Sequence, residues 1–173
     1  APASVAYIRV GETAMGRGLL VMLGLLAVMA MATPVPRLTV VDDTAGTAVV
    51  CRSLAHGERV TLAFTHSMYG GDVHEEYMVT RQGRLRRVAM RTAHPAAADY
   101  YAHTANVVRE GEMYRIEIPV AEFAAIAVRI DEVGRPRLIF RDHELDLLTA
   151  TGHQHRVIIG ATLSNRFAGD ACR

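Results

Sequence analysis

The chain has 173 residues, with 19 basic side chains against 18 acidic ones, a formal charge of +1 and not one Lys. Near-neutrality removes the general electrostatic attraction to nucleic acid and to anionic surfaces, so no nucleic-acid partner is expected, and the all-Arg basic set excludes Schiff-base chemistry. A hydrophobic fraction of 50% is enough for one domain with a core of its own.

Residues 1–14 fit no element well, and Met15-Gly16-Arg17 reads as a compact positively charged start, so 1–14 are expected to be an upstream extension. Leu19–Ala32 is an unbroken apolar run of 14 residues ending in Ala30-Met31-Ala32. A positive flank, a short apolar stretch and a small-x-small end are the parts of a secretory signal. As a helix the run would reach about 21 Å, short of the roughly 30 Å of a bilayer core. Residues 15–32 are therefore expected to be a signal peptide cut after Ala32, or a membrane anchor if uncut. Either way the remainder is expected to be exported, to the periplasm or the extracytoplasmic face of the membrane. Removing 1–32 takes Arg9, Arg17 and Glu12 with it and leaves a chain of zero net charge.

Past Pro36 the sequence reads as short alternating strands split by turn residues. Leu38–Val41 and Thr47–Cys51 flank a hairpin turn at residues 42–46. Arg59–His66 and Val73–Thr80 alternate cleanly, and Gln82-Gly83 turns into Leu85–Arg91. Met113–Ile118, Ile126–Ile130, Arg137–Phe140, His143–Leu147 and Gln154–Ile159 continue the pattern. Val120–Ala125 reads as one helical turn and Ala96–His103 as a short helix or loop. The predicted fold is all-β: a single antiparallel β-sandwich or partly open barrel over residues 37–160, preceded by the N-terminal hydrophobic helix and followed by a tail at 161–173.

Cys51 and Cys172 are the only cysteines, and in an oxidising compartment they form a possible disulfide; otherwise Cys51 is a small buried hydrophobe. The densest polar cluster is residues 64–77. Pairing Leu62 with Val79 and Phe64 with Tyr77 sets apolar against apolar and brings His66 opposite Glu75. A carboxylate beside an imidazole orients the ring, which suits a general base and equally a buried structural pair. The cluster His66, Ser67, Glu75 and Tyr77 is thus functional or structural, and no residue is assigned as catalytic. Consecutive strand residues point to opposite faces, so His66 and Ser67 are not a nucleophilic dyad, and there is no G-x-S-x-G elbow. The eight histidines lack the tight spacing of a zinc site, so neither a metal nor another cofactor is expected. Arg84 and Arg86 share a strand face and offer a possible anion contact, although such a run is more often a solvated face. Tyr100-Tyr101, near His103, would point to opposite sides if the segment were a strand.

A strand ending in His66-Ser67, a short loop and Val73-x-Glu75 are followed by Val128-Arg129-Ile130, a hydrophobic strand through Leu138, and Glu144-Leu145-Asp146-Leu147 ahead of Gly152. This pattern resembles the family called domain of unknown function 1850, over most of residues 37–160. Many members of that family carry Pro where Asp72 stands, and a Gly-rich stretch where this chain has residues 92–98. The resemblance implies a small extracytoplasmic β protein associated with the permease of TAXI-type TRAP (tripartite ATP-independent periplasmic) solute transporters.

Two functions follow as expectations. The first is a non-enzymatic accessory that contacts the TRAP-type permease or its solute-binding protein, and the second is an extracytoplasmic enzyme or small-ligand-binding protein using His66 and Glu75. An exposed apolar patch and a retained anchor favour the first. A concave pocket holding His66, Glu75 and a third polar group favours the second.

Overall fold

The computed structural model describes residues 20–24, 34–55, 57–141 and 143–164. The chain divides into two units, Ala1–Thr33 and Pro34–Arg173. In the first, residues 20–24 form a helical segment, α1; the rest of the predicted signal or anchor lies outside the described residues. No described helix is long and apolar enough to cross a membrane.

The second unit is built from twelve described strands in two antiparallel sheets. The smaller sheet runs β2 (Thr47–Ser53), β1 (Val35–Asp42), β12 (Arg156–Ser164), β9 (Ala125–Arg129). The larger runs β11 (His143–Asp146), β10 (Arg137–Phe140), β3 (Arg59–Thr65), β4 (Asp72–Val79), β5 (Leu85–Thr92), β7 (Met113–Glu117), β6 (Asn106–Glu110), with β8 (Ala121–Phe123) also on β5. The sheets do not close into a barrel. Helices α2 (Pro95–Ala102) and α3 (Leu147–Thr151) complete the unit.

Alternation places the core. Leu38 and Val40 of β1 and Val157, Ile159 and Ala161 of β12 face Val60 and Leu62 of β3, Tyr77 of β4, Leu85 of β5 and Leu138 and Phe140 of β10 in one buried cluster. Each sheet therefore seals the apolar face of the other. The four-stranded sheet is too narrow to cover its partner. Helix α2 covers the remainder, packing against β5, β7 and β6 over a second cluster of Val73, Met90 and Ile116. A seam is left where the outer strand β9 of one sheet faces α2 across the end of β3.

Two local readings change. Val120–Ala125 is not a helical turn: Ala121–Phe123 pairs with Arg87–Leu85 of β5, and the chain then crosses to the other sheet as β9. The β3–β4 register also differs from the predicted one. Leu62 faces Glu75, Val60 faces Tyr77 and Phe64 faces Val73, so each partner on β4 lies four residues earlier than expected.

Candidate functional site

The hairpin turns sooner than the apolar matching suggests because two glycines turn it. Gly70 and Gly71 adopt φ of +69° and +74°, a region that L side chains rarely enter. At Gly71 a side chain is also excluded by space, since a Cβ would fall 2.4 Å from Cβ of His94. The turn closes with the His66 N–H donating to the Gly71 carbonyl at 2.9 Å and the Gly70 N–H donating to the His66 carbonyl at 2.8 Å. His66 thus sits just beyond β3, opposite Gly71 and not opposite Glu75.

Its ring is buried, at 8% exposure. Nδ1 accepts the Met68 N–H at 3.3 Å, which leaves the proton of the neutral ring on Nε2. Three tyrosines surround the imidazole, with centroids at 5.2 Å for Tyr69, 5.3 Å for Tyr100 and 6.1 Å for Tyr101. Tyr100 and Tyr101 reach it together because they lie on a helix, where neighbours diverge by about 100° and not by 180°. Pro95 at the first helical position was the signal for that helix.

Glu75 keeps its predicted face and takes different partners. It accepts the Tyr77 hydroxyl and pairs with Arg87, Nη1 to Oε1 at 3.5 Å. The Arg87 guanidinium also lies over the Phe123 ring at 5.8 Å, and its Nε is buried without a hydrogen-bond partner. Burial first, and then the Glu75 carboxylate, hold the Tyr77 hydroxyl far above its ordinary pKa. The same two causes raise that of Tyr101, which places Tyr101 in the electrostatic field of Glu75.

Above these groups the seam opens as a cleft of about 520 Å³. Leu62, Phe64, Ile126 and Val128 give it apolar walls, and His66, Ser67, Glu75, Tyr101, Arg129 and Asp131 give it polar ones. The predicted His66 and Glu75 therefore line one cleft, although no contact joins them. Ser67 is exposed in the turn and makes no hydrogen bond to His66. Tyr77 lies beneath, in the core.

Arg84 and Arg86 lie elsewhere and share Glu122: Arg86 through Nε at 2.8 Å and Nη2 at 2.6 Å, Arg84 at 3.9 Å. Their charge is met within the chain, as on a solvated strand face. Cys51 is half-buried in β2 and is not a free thiol, and Cys172 lies outside the described residues. Among the described residues no group of three or more His, Cys, Asp or Glu is arranged to hold a metal ion.

Sequence reasoning missed Tyr69 as a neighbour of the His66 ring and Arg129 as a residue at the cleft. Tyr69 was hidden in a turn whose length was overestimated. Arg129 lies on β9, in the other sheet, and no local pattern announces that juxtaposition.

The fold and site define a two-sheet antiparallel β protein with a histidine- and tyrosine-lined cleft at the seam. Residues 60–147 match the family described as Domain of unknown function (DUF1850), and the chain belongs to that family. The matched stretch spans β3 to the start of α3 and so contains every cleft residue named above. No curated protein and no solved structure matches the chain.

Proposed function

We propose that this chain is a non-enzymatic, exported small-ligand-binding protein that serves a TAXI-type TRAP solute transporter as an accessory. One observation carries the binding role: a concave cleft whose volume, about 520 Å³, lies within the ~300–1,000 Å³ typical of small-molecule sites, with apolar walls and a few convergent polar groups. Binding is favoured over catalysis by the partners of the polar groups. Glu75 is engaged by Tyr77 and Arg87, and the His66 Nδ1 by Met68, so no nucleophile–base pair is assembled. Export rests on the Leu19–Ala32 run, and the transporter setting on the resemblance of the sequence pattern.

A second reading has its own observation. Met68 at 70% exposure, Val133 at 63%, Tyr100 at 48% and Tyr69 at 40% are large apolar side chains in turns and on a helix around the cleft mouth, a surface suited to docking the permease or solute-binding protein.

The test is thermal shift of the exported protein against a chemically mixed small-molecule library, with Ile126→Trp as the cleft-filling control. Ligands that raise the wild-type Tm and leave Ile126→Trp unmoved support the cleft. Absence of any such ligand, with the permease still co-purifying with Ile126→Trp, overturns it in favour of the docking surface.

A further inference from the structure

We infer that the open edge of β9 docks an extended segment of a partner protein as a further strand of the smaller sheet, with alternate apolar side chains turned into the cleft and an acidic side chain outside it, opposite Arg129. This rests on the cleft reading above and names the occupant of that cleft.

The backbone is the first argument. Strand β9 ends the smaller sheet, and β12 is its only ladder partner among the described residues. Ile130 donates its N–H to the His155 carbonyl at 2.9 Å and its carbonyl accepts the Gln154 N–H at 2.8 Å, so its polar groups turn to the β12 side. The register continues along β9 without a shift. In an antiparallel ladder that direction alternates, so Val128 and Ile126 also turn to β12, while Ala125, Ala127 and Arg129 aim their N–H and C=O groups at the open edge. None of those groups has a partner among the described residues. This edge runs along the cleft. Successive residues, Ile126 through Arg129, border it, whereas the side chains of one face would bring only every second one.

The other end strands are blunted. β2 is bulged against β1, β11 carries Glu144 and Asp146, and β6 carries Arg109 and Glu110. β9, Ala-Ile-Ala-Val-Arg, has no Pro, no bulge and a single charge at its end. An edge left in that state is a template for a strand from elsewhere.

Side chains define the segment. Residues directly opposite each other on antiparallel strands share a face. Positions facing Ile126 and Val128 enter the cleft against Leu62, Phe64 and Tyr101, and so call for apolar side chains. The position facing Arg129 lies on the exposed outer face, where Arg156 already stands across the β12 ladder. Two neighbouring cations favour an acid there, and they disfavour a second copy of this sheet, which brings the same cations to the same face.

The probe is a short labelled peptide of alternating Val and Asp, compared with its Val–Lys counterpart by fluorescence anisotropy on the full exported chain. The Val–Asp peptide is expected to bind about tenfold more tightly. N-methylation of one alternate set of its residues is expected to abolish binding and of the other set to spare it, since only one set turns its N–H groups to β9. Ala127→Pro removes an edge N–H that no described group uses, so Tm should hold while peptide binding is lost. Should Ala127→Pro fail to fold, Arg129→Glu carries the test, because it should reverse the preference for Asp over Lys. A wild-type preference for the Val–Lys peptide, equal tolerance of both N-methylated peptides, or undiminished binding to folded Ala127→Pro would each overturn the inference. A wild-type dimer that Ala127→Pro dissociates would place a second copy on the edge and overturn it as well. Failure of the peptides while the mixed library yields a cleft ligand sinks this inference alone. Failure of both sinks the cleft reading with it.

Discussion

Glu75→Ala tests whether the buried end of the cleft is held by charge and hydrogen bonding. Glu75 is 15% exposed and Arg87 23%, so neither group is largely screened by solvent. Removing the carboxylate takes the hydrogen-bond acceptor from the buried Tyr77 hydroxyl, a loss of about 1–3 kcal/mol. It also takes the acid from Arg87, whose Nε is already without a partner. A stranded, partly buried guanidinium adds to the loss, and the total expected is about 3 kcal/mol. Glu75→Gln retains an oxygen for one of the two partners and is expected to cost about 1 kcal/mol. Urea unfolding of wild type, Glu75→Ala, Glu75→Gln, Tyr77→Phe and the Glu75→Ala/Tyr77→Phe double variant gives these values and their coupling. If Glu75→Ala costs less than about 0.5 kcal/mol, or if its effect adds without coupling to that of Tyr77→Phe, the cluster is not what holds this wall.

Gly71→Ala is expected to destabilise the protein by about 2–4 kcal/mol, from the left-handed backbone together with the 2.4 Å approach to His94; the urea midpoint reads the loss, and any cleft ligand should bind more weakly because His66 hangs on the same turn. The Asp42 carboxylate accepts from His155 at 2.7 Å, and that bond, with the Thr44 and Ala45 N–H groups, holds its pKa below 3.8. A depressed folded pKa gives stability that is complete above the unfolded value and is lost as pH falls through the folded one. The urea midpoint of wild type should therefore drop more steeply than that of Asp42→Asn on acidification below about pH 4. We propose that Cys51 pairs with Cys172; intact protein should resist alkylation until reduced, and reduction should lower stability by roughly 4 kcal/mol for a loop of this length.

Most strands were legible because one buried face imposes alternation. Val60-x-Leu62-x-Phe64 and Val157-x-Ile159-x-Ala161 announce their inward sides, and the Asp42 turn announced its hairpin by supplying an acceptor for the N–H groups of Thr44 and Ala45. The strands that escaped lack that imprint. Asn106–Glu110 lies at the edge of its sheet with no fully buried residue, and Ala121–Phe123 is too short to show a period. The one-turn helix Leu147–Thr151 carries its signal outside itself, in Asp146, whose side chain accepts the Thr149 N–H.

The site was half legible, and the reason lies in the parity of the register. Matching Phe64 with Tyr77 placed each β4 residue four positions late, and a slip by an even number preserves which face every side chain occupies. His66 and Glu75 were therefore assigned to the correct side of the sheet for a pairing that does not occur. What the apolar pattern could not weigh was Gly70-Gly71, which lets the turn close within four residues and draws Asp72 up to Arg137 at 2.7 Å. That shift separates the imidazole from the carboxylate and gives each a local partner. Across the larger sheet Glu76, Glu110, Glu117 and Glu122 meet the arginines beside them. Pairing of this kind consumes the charges that one sheet can see. Arg129 comes from the other sheet, where its neighbour across the pair is Arg156, which is itself held by Asp43. The ladder partner of Arg129 is thus a second cation, and both stand on the exposed outer face of the smaller sheet beside Ala127 and Gln154, where water and not an acid solvates Arg129.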